Sequence, residues 1–192
     1  LDTLDHLNNA QTNTLRNQIN HAATVAEVNE VKNKAQALNQ AMSQLQQAIA
    51  NKDQTLASQN YLDADSDKKT AYTNAVTNAE NVLEKATGTD QNQQAVEQMI
   101  QAVTSADHDL NGATNLQTAK NNANQAIDNL NDLNAPQKET LKEQVNQAQN
   151  VSGVTDIQNN ADALNSAMTN LKQAIADHDD IVADGNYTNA SA

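Results

Sequence analysis

The sequence predicts an all-α protein, an elongated string of alternating three-helix bundles that share long connecting helices. Three observations carry this. Apolar residues recur at alternating spacings of three and four, the seam of packed helices, and no alternating strand pattern of useful length occurs. The interior must be built almost without large rings, because the 192 residues include no Phe, no Trp and three Tyr. Leu, Ile, Val, Met and many Ala bury little area each and let helices approach closely, which suits thin bundles better than one thick core. Finally, the chain repeats itself. Shifting it by 126 residues, the distance from Leu15 to Leu141, aligns 1–66 with 127–192 without a gap. Val28 then falls on Val154, Leu38 on Leu164, Met42 on Met168, Ile49 on Ile175 and Tyr61 on Tyr187. Shared apolar positions are what a shared packing pattern produces. A unit of this length exceeds a simple solenoid repeat and can hold two small bundles; both ends of the sequence cut through a unit.

The clearest helix is 28–57, with Val28, Val31, Ala35, Leu38, Met42, Leu45, Ile49 and Leu56 in one seam. Only Lys52 interrupts it, and its repeat partner is His178. About 30 helical residues run roughly 45 Å, more than a small bundle needs. The spacing therefore predicts one continuous helix that begins in one bundle and ends in the next, with Lys52 and His178 near the changeover. Segment 66–87 carries Tyr72, Ala75, Val76, Ala79, Val82, Leu83 and Ala86, with Asp65 or Ser66 as its cap. Gly88-Thr89-Asp90 ends it and opens 91–110, with Val96, Met99, Ile100, Val103, Ala106 and Leu110. Asn111-Gly112 marks a break before 113–133, where Leu116, Ala119, Ala123, Ile127, Leu130 and Leu133 continue the stripe. Asn134 or Ala135 precedes a Pro suited to a first helical turn, and 136–149 follows with Leu141, Val145 and Ala148. Val151–Val154 reads as a short connection, with Thr155 capping the next helix.

Two kinds of three-helix unit emerge. One covers 111–178, and its earlier copy covers 1–52 without most of its first helix. The other covers 53–110, and 179–192 begins its next copy. The alternation gives a string rather than a ball.

Composition excludes several functions. The formal charge is −13, and no Lys/Arg stripe exists to neutralise phosphates, so neither nucleic acid nor an anionic membrane surface is an expected partner. The longest apolar runs span a few residues and cannot cross a bilayer. With no Cys there is neither disulfide nor thiolate metal site. Asp63, Asp65 and Asp67 have the spacing that opens an EF-hand loop, but Lys68 and Asn74 stand where Gly and Glu are needed, so helix capping is the better reading. Asp177-His178-Asp179-Asp180 reads as a solvated face. The four His, at 6, 21, 108 and 178, show no paired ligand spacing. Neither a nucleophilic constellation nor a phosphate-cradling Gly loop can be assembled. The expectation is a non-enzyme with no metal or cofactor. Tyr61 and Tyr187, at equivalent positions just past the long helix, remain as candidate ligand contacts or as plugs at the junction between bundles.

The stretch Leu141 to Leu164, with Val145, Ala148, the turn Asn150–Val154 and Ala161, resembles GA modules, the three-helix units related to bacterial albumin-binding domains. Tyr61 through Ala71-Tyr72, Ala75, Ala79, Val82-Leu83, Ala95 and Ile100 resembles FIVAR modules. Their alternation on an Asn/Gln-rich surface resembles the repeats of giant staphylococcal cell-wall-associated proteins and covers essentially the whole chain. On this resemblance, 1–52 and 111–178 are GA-like, and 53–110 and 179–192 are FIVAR-like. It implies an extracellular, cell-wall-associated segment of a Gram-positive adhesin, a monomeric helical stalk that contributes to attachment to host extracellular matrix, with fibronectin the suggested ligand. The alternative is a purely structural cell-wall spacer with no specific ligand in this segment. Albumin-binding GA modules carry aromatic residues on and before the second helix. Here that region reads Asn134-Ala135-Pro136-Gln137-Lys138-Glu139, followed by Gln144, Asn146 and Gln147, so albumin is not an expected partner.

Overall fold

The computed structural model describes residues 1–190; the last two residues of the segment 179–192 lie outside the described residues. All regular structure among them is helical. The chain divides into two compact units, residues 1–112 and 113–192.

The first unit holds α1 (Asn9–His21), α2 (Val25–Ala48), the short α3 (Lys52–Ala57) and α4 (Gln59–Leu62), then α5 (Ser66–Leu83) and α6 (Gln93–His108). Asn8 starts α1 with a reciprocal capping box to Gln11, and Thr24 starts α2 the same way with Glu27. α2 is the pivot. It packs on α1 and also on α5 and α6. Its stripe of Val31, Ala35, Leu38, Ala41, Met42 and Leu45 is buried along its length, and one apolar core runs from Leu7 to Leu110 through both sets of partners. Tyr72 is the largest side chain fully inside.

The second unit holds α7 (Gly112–Asp128, whose first residue closes the preceding unit), α8 (Ala135–Gln147), α9 (Val151–Ala174), α10 (His178–Ala183) and α11 (Gly185–Thr188). Asn134 caps α8 by the same box, with Gln137, and Pro136 sits in the first turn. Ala123, Ile127, Leu133, Leu141, Val145, Val154 and Ala161 form its core.

The expected continuous helix 28–57 is not continuous: it divides at Ile49–Asn51. Ile49 (φ −104°, ψ 5°) and Asn51 (φ −99°, ψ 12°) leave α-helical geometry, and Lys52 N–H turns back to the Ile49 carbonyl at 3.1 Å. The sharing of a helix between partner sets is carried by α2 alone, 25–48. Lys52 does not interrupt a seam; its Nζ bonds the Glu80 carboxylate on α5. The same break recurs at Ile175–Asp177, where no counterpart of α5 or α6 lies alongside among the described residues. The local sequence therefore makes it, without Gly or Pro, through a cap-type residue, Asn51 or Asp177, that competes with helix continuation. A second correction concerns 151–154. These residues are not a connection but the first turn of α9, capped by Asn150, whose Oδ1 accepts the Gly153 N–H at 2.6 Å; Thr155 lies inside the helix.

The internal repeat places identical side chains in different surroundings. Leu45 is fully buried under α6, whereas its counterpart Leu171 is 53% exposed. Conversely, Val28 is half-buried and Val154, with α7 in its core, is buried. Each helix pair thus has two apolar faces, and different partners cover them. Leu45→Ala should therefore destabilise the first unit by about 2–5 kcal/mol, while Leu171→Ala should cost under about 1 kcal/mol. Denaturant unfolding of the two variants, followed separately for each unit, checks this.

Candidate functional site

Among the described residues, Asn8 and Gln11 are the only polar side chains in the buried set, and helix-end chemistry put them there. Asn8 Oδ1 accepts the Gln11 N–H at 2.9 Å, and Gln11 Oε1 accepts the Asn8 N–H at 3.0 Å. That uses each acceptor for capping and leaves each amide NH2 to point away from the helix. Asn8 Nδ2 donates to the carbonyls of Val82 and Thr89, both at 2.9 Å. Gln11 Nε2 donates to the Gln91 carbonyl at 2.9 Å and lies 3.5 Å from Met42 Sδ. Asn9 N–H adds a bond to the Lys85 carbonyl at 2.9 Å, and Lys85 Nζ returns one to the Leu7 carbonyl at 2.6 Å. The start of α1 is thereby fastened to the loop between α5 and α6. Gly88 makes the approach possible. A Cβ there would come within 2.5 Å of the Glu84 and Val82 carbonyls and 2.6 Å of Asn8 Nδ2. Such a buried polar group is tolerated because every donor finds an acceptor.

The two tyrosines singled out by the repeat stand differently. Tyr61, on α4, is half-buried and meets Tyr72 edge-on, ring centroids 6.0 Å apart. Tyr72 is buried, and burial raises its phenol above the ordinary value. Tyr187, on α11, is 58% exposed. It lines a shallow surface depression with Ile181 and Ala190. Asp63, Asp65 and Asp67 sit at helix ends: Asp63 follows α4, Asp65 precedes α5 and Asp67 is in its first turn. His178 Nδ1 contacts the neighbouring Asp179 in the open. No group of three His, Asp or Glu converges among the described residues, and no described helix is long and apolar enough to cross a membrane. A groove of about 690 Å³ runs between α1, α2 and the start of α6 and is lined by Leu15 and Leu38. It brings together no nucleophile, base or metal-ligand set.

In the second unit the α7–α8 loop is clasped to α9. Asp132 N–H bonds Asn165 Oδ1 at 3.0 Å, and its carboxylate accepts from Lys172 Nζ at 2.7 Å and from Thr169 Oγ1. The first unit keeps only the backbone half of this clasp, His6 N–H to Asn39 Oδ1 at 3.0 Å. Sequence reasoning missed both the Asn8/Gln11 fastening and this clasp. Their signal was Asn and Gln retained at both repeat positions among otherwise variable polar residues.

Comparison with known proteins follows the same partition. The sequence profile of the GA module matches residues 1–41 and 113–167, and that of the FIVAR domain matches 41–111 and 167–192. The chain is 63% identical over 182 residues, 95% of its length, to Extracellular matrix-binding protein EbhA of Staphylococcus aureus strain Mu3 / ATCC 700698. It is 64% identical over 190 residues, 99% of its length, to Extracellular matrix-binding protein ebh of S. aureus strain USA300 / TCH1516. It spans 3% and 2% of the lengths of these two relatives. The crystal structure of EbhA (756–1003 domain) from S. aureus matches with a TM-score of 0.83 at 49% identity, covering 84% of this chain and 66% of that one. A crystal structure of an S. aureus protein domain (3912–4037), described as similar to streptococcal adhesins, matches with a TM-score of 0.61 at 48% identity, covering 66% of this chain and 98% of that one.

The clasp on α9 has a pH signature. Hydrogen bonds from Lys172 and Thr169, with the Lys172 charge, hold the Asp132 carboxyl below its ordinary value. A folded-state value lowered in this way contributes stability that is present above the unfolded value, near pH 4, and is lost as pH falls through the lowered one. Acidification through that window should lower the thermal midpoint of the second unit. Asp132→Asn should remove this part of the pH dependence, and added salt should shrink it because the pair is partly open to solvent. Melting curves against pH for both chains check it.

Proposed function

The chain belongs to the GA- and FIVAR-module family of staphylococcal extracellular matrix-binding proteins, and from that premise we propose that it is a non-catalytic repeat segment of a bacterial cell-surface adhesin. It works outside the cell, on the wall of a Gram-positive bacterium. It serves as a helical stalk that contributes to attachment to host extracellular matrix. The observation that carries this reading is the module alternation itself: two internally cored units of all-helical modules, with Asn, Gln and acidic side chains outside. Such a chain extends by repetition, because each unit closes its own core. Relatives named as extracellular matrix-binding proteins support the adhesive part.

Fibronectin is the ligand proposed. No deep aromatic pocket is built among the described residues, so one copy has few anchors to offer, and Tyr187, exposed beside Ile181, is the first contact to change. Strength then comes from copy number. The absence of a pre-built anchor also favours a second reading, a cell-wall spacer with no ligand in this segment.

Immobilised fibronectin should bind the single chain with a dissociation constant of about micromolar or weaker. A tandem array of several copies should bind at least about 100-fold more tightly by avidity, and Tyr187→Ala should weaken both. A nanomolar one-to-one complex would replace the stalk by a dedicated binding module. An array that binds no better than background would leave the spacer. Small-angle scattering on the chain should give an extended monomer, and a compact profile would refute the stalk.

A further inference from the structure

Of the four glycines, only Gly112 follows an asparagine, so Asn111-Gly112 is the chain's one Asn-Gly pair. Two separate demands of the fold put it there. Gly112 is buried against α4: a Cβ there would meet the Asn60 carbonyl oxygen and stand 2.6 Å from that of Gln59. Asn111 holds the start of α5 with both ends of its carboxamide. Its Oδ1 accepts the Asp65 N–H at 3.0 Å, and its Nδ2 donates to the Asp65 carboxylate at 2.8 Å. An ionised aspartate at this position has no N–H for the second bond, and a residue with a Cβ at 112 could not come so close to α4. Together these demands create a dipeptide whose side chain is open to attack by its own backbone, because no Cβ shields the following nitrogen.

We propose that Asn111 is a site of spontaneous deamidation, which Asp65 holds shut while the loop after α6 is closed on the start of α5. The step needs only water. The Gly112 main-chain nitrogen loses its proton and attacks Asn111 Cγ. A C–N bond forms and closes a succinimide ring; the Cγ–Nδ2 bond breaks, and Nδ2 leaves as ammonia with that proton. Water then opens the ring at one of its two carbonyls and leaves aspartate or isoaspartate. One water is consumed, one ammonia is released, and nothing is oxidised or reduced. In the closed loop the reaction is blocked twice. Swinging Cγ onto the nitrogen takes the carboxamide away from both of its bonds to Asp65, and the buried Gly112 N–H is kept from the base that must take its proton. Local opening removes both blocks at once. The product is one-way. A carboxylate at position 111 has no N–H to give, and it stands opposite the Asp65 carboxylate, where like charges repel. A loop that has opened and reacted therefore closes less well afterwards.

The test is peptide mass spectrometry of the whole chain, held at neutral pH and body temperature for increasing times. In urea Asn111 should be the first amide converted, and in the folded chain its conversion should be at least about tenfold slower. Asp65→Ala should raise the folded rate by at least about tenfold while the core amides of α2 stay protected from hydrogen exchange, so that the gain comes from the loop and not from global unfolding. Should that variant unfold the unit, Asp65→Ser, which keeps a capping residue at the start of α5, takes its place. Asn111→Asp, the product, should lower the thermal midpoint of the first unit. Adding Asp65→Asn, which exchanges donor and acceptor, should restore it. A folded parent that converts at Asn111 as fast as the unfolded chain, or a folded Asp65 variant that converts no faster than the parent, would overturn Asp65 as the guard. No conversion at Asn111 even in urea would overturn the site itself. An Asn111→Asp chain as stable as the parent, or one that Asp65→Asn does not rescue, would overturn the one-way opening.

Discussion

Most of the architecture depends on one helix serving two sets of partners. α2 offers a stripe in which Ala35 and Ala41 alternate with Leu38, Met42 and Leu45, and both α1 and the α5–α6 pair must close on it. Small residues on the stripe bring the neighbours near, and the longer ones interdigitate between them. With almost no rings available, close approach replaces bulk. Tyr72 is the exception, and it fills the place where α5 faces the Tyr61 ring. Because both partner sets share one continuous core, neither can loosen without uncovering part of the stripe that the other needs.

The ends of the helices were legible wherever chemistry at one residue decides them. Asn134 before Pro136 is of this kind, and the break expected at Asn111-Gly112 falls just ahead of them, between His108 and Gly112. The apolar seam was legible because periodicity sums many residues. The division at Ile49–Asn51 was not legible, since the backbone there takes a bridge-region geometry open to ordinary residues and the seam spacing passes straight through it. The start of α9 misled for the opposite reason: Gly153 looks like a linker residue, yet it lies in a first turn that Asn150 has already capped. The Asn8/Gln11 fastening escaped because a capping box reads as a surface feature. Only the loop that folds onto it, with Gly88 under it, turns that box into an interior one. Tyr61 and Tyr187 were found by recurrence, but recurrence does not reveal that one meets Tyr72 while the other stands open.

Charge contributes little to the hold. The chain is strongly acidic, and its ion pairs are few and largely solvated, such as Arg16 with Asp2 and Lys142 with Asp128. Lys52 with Glu80 ties the first turn of α3 to α5 at a partly screened site. The work of joining elements falls instead to amide side chains, which carry donor and acceptor together and need no counter-ion. An Asn- and Gln-rich composition is thus part of the fold's construction as well as its surface.

The backbone character of the α1 junction bears on how such genes can change. Where recognition is written in side chains, a crossover between unequal copies brings together halves that never coevolved, and the new boundary has to be repaired by compensating substitutions. At this junction the acceptors in the α5–α6 loop belong to the main chain, and the tightest steric requirement there is a glycine. Recombination in register between copies that keep Asn, Gln, that glycine and the apolar stripe leaves the polar part of the boundary intact. Whole units can then be gained or lost in a single event, so that length becomes a heritable variable independent of sequence drift.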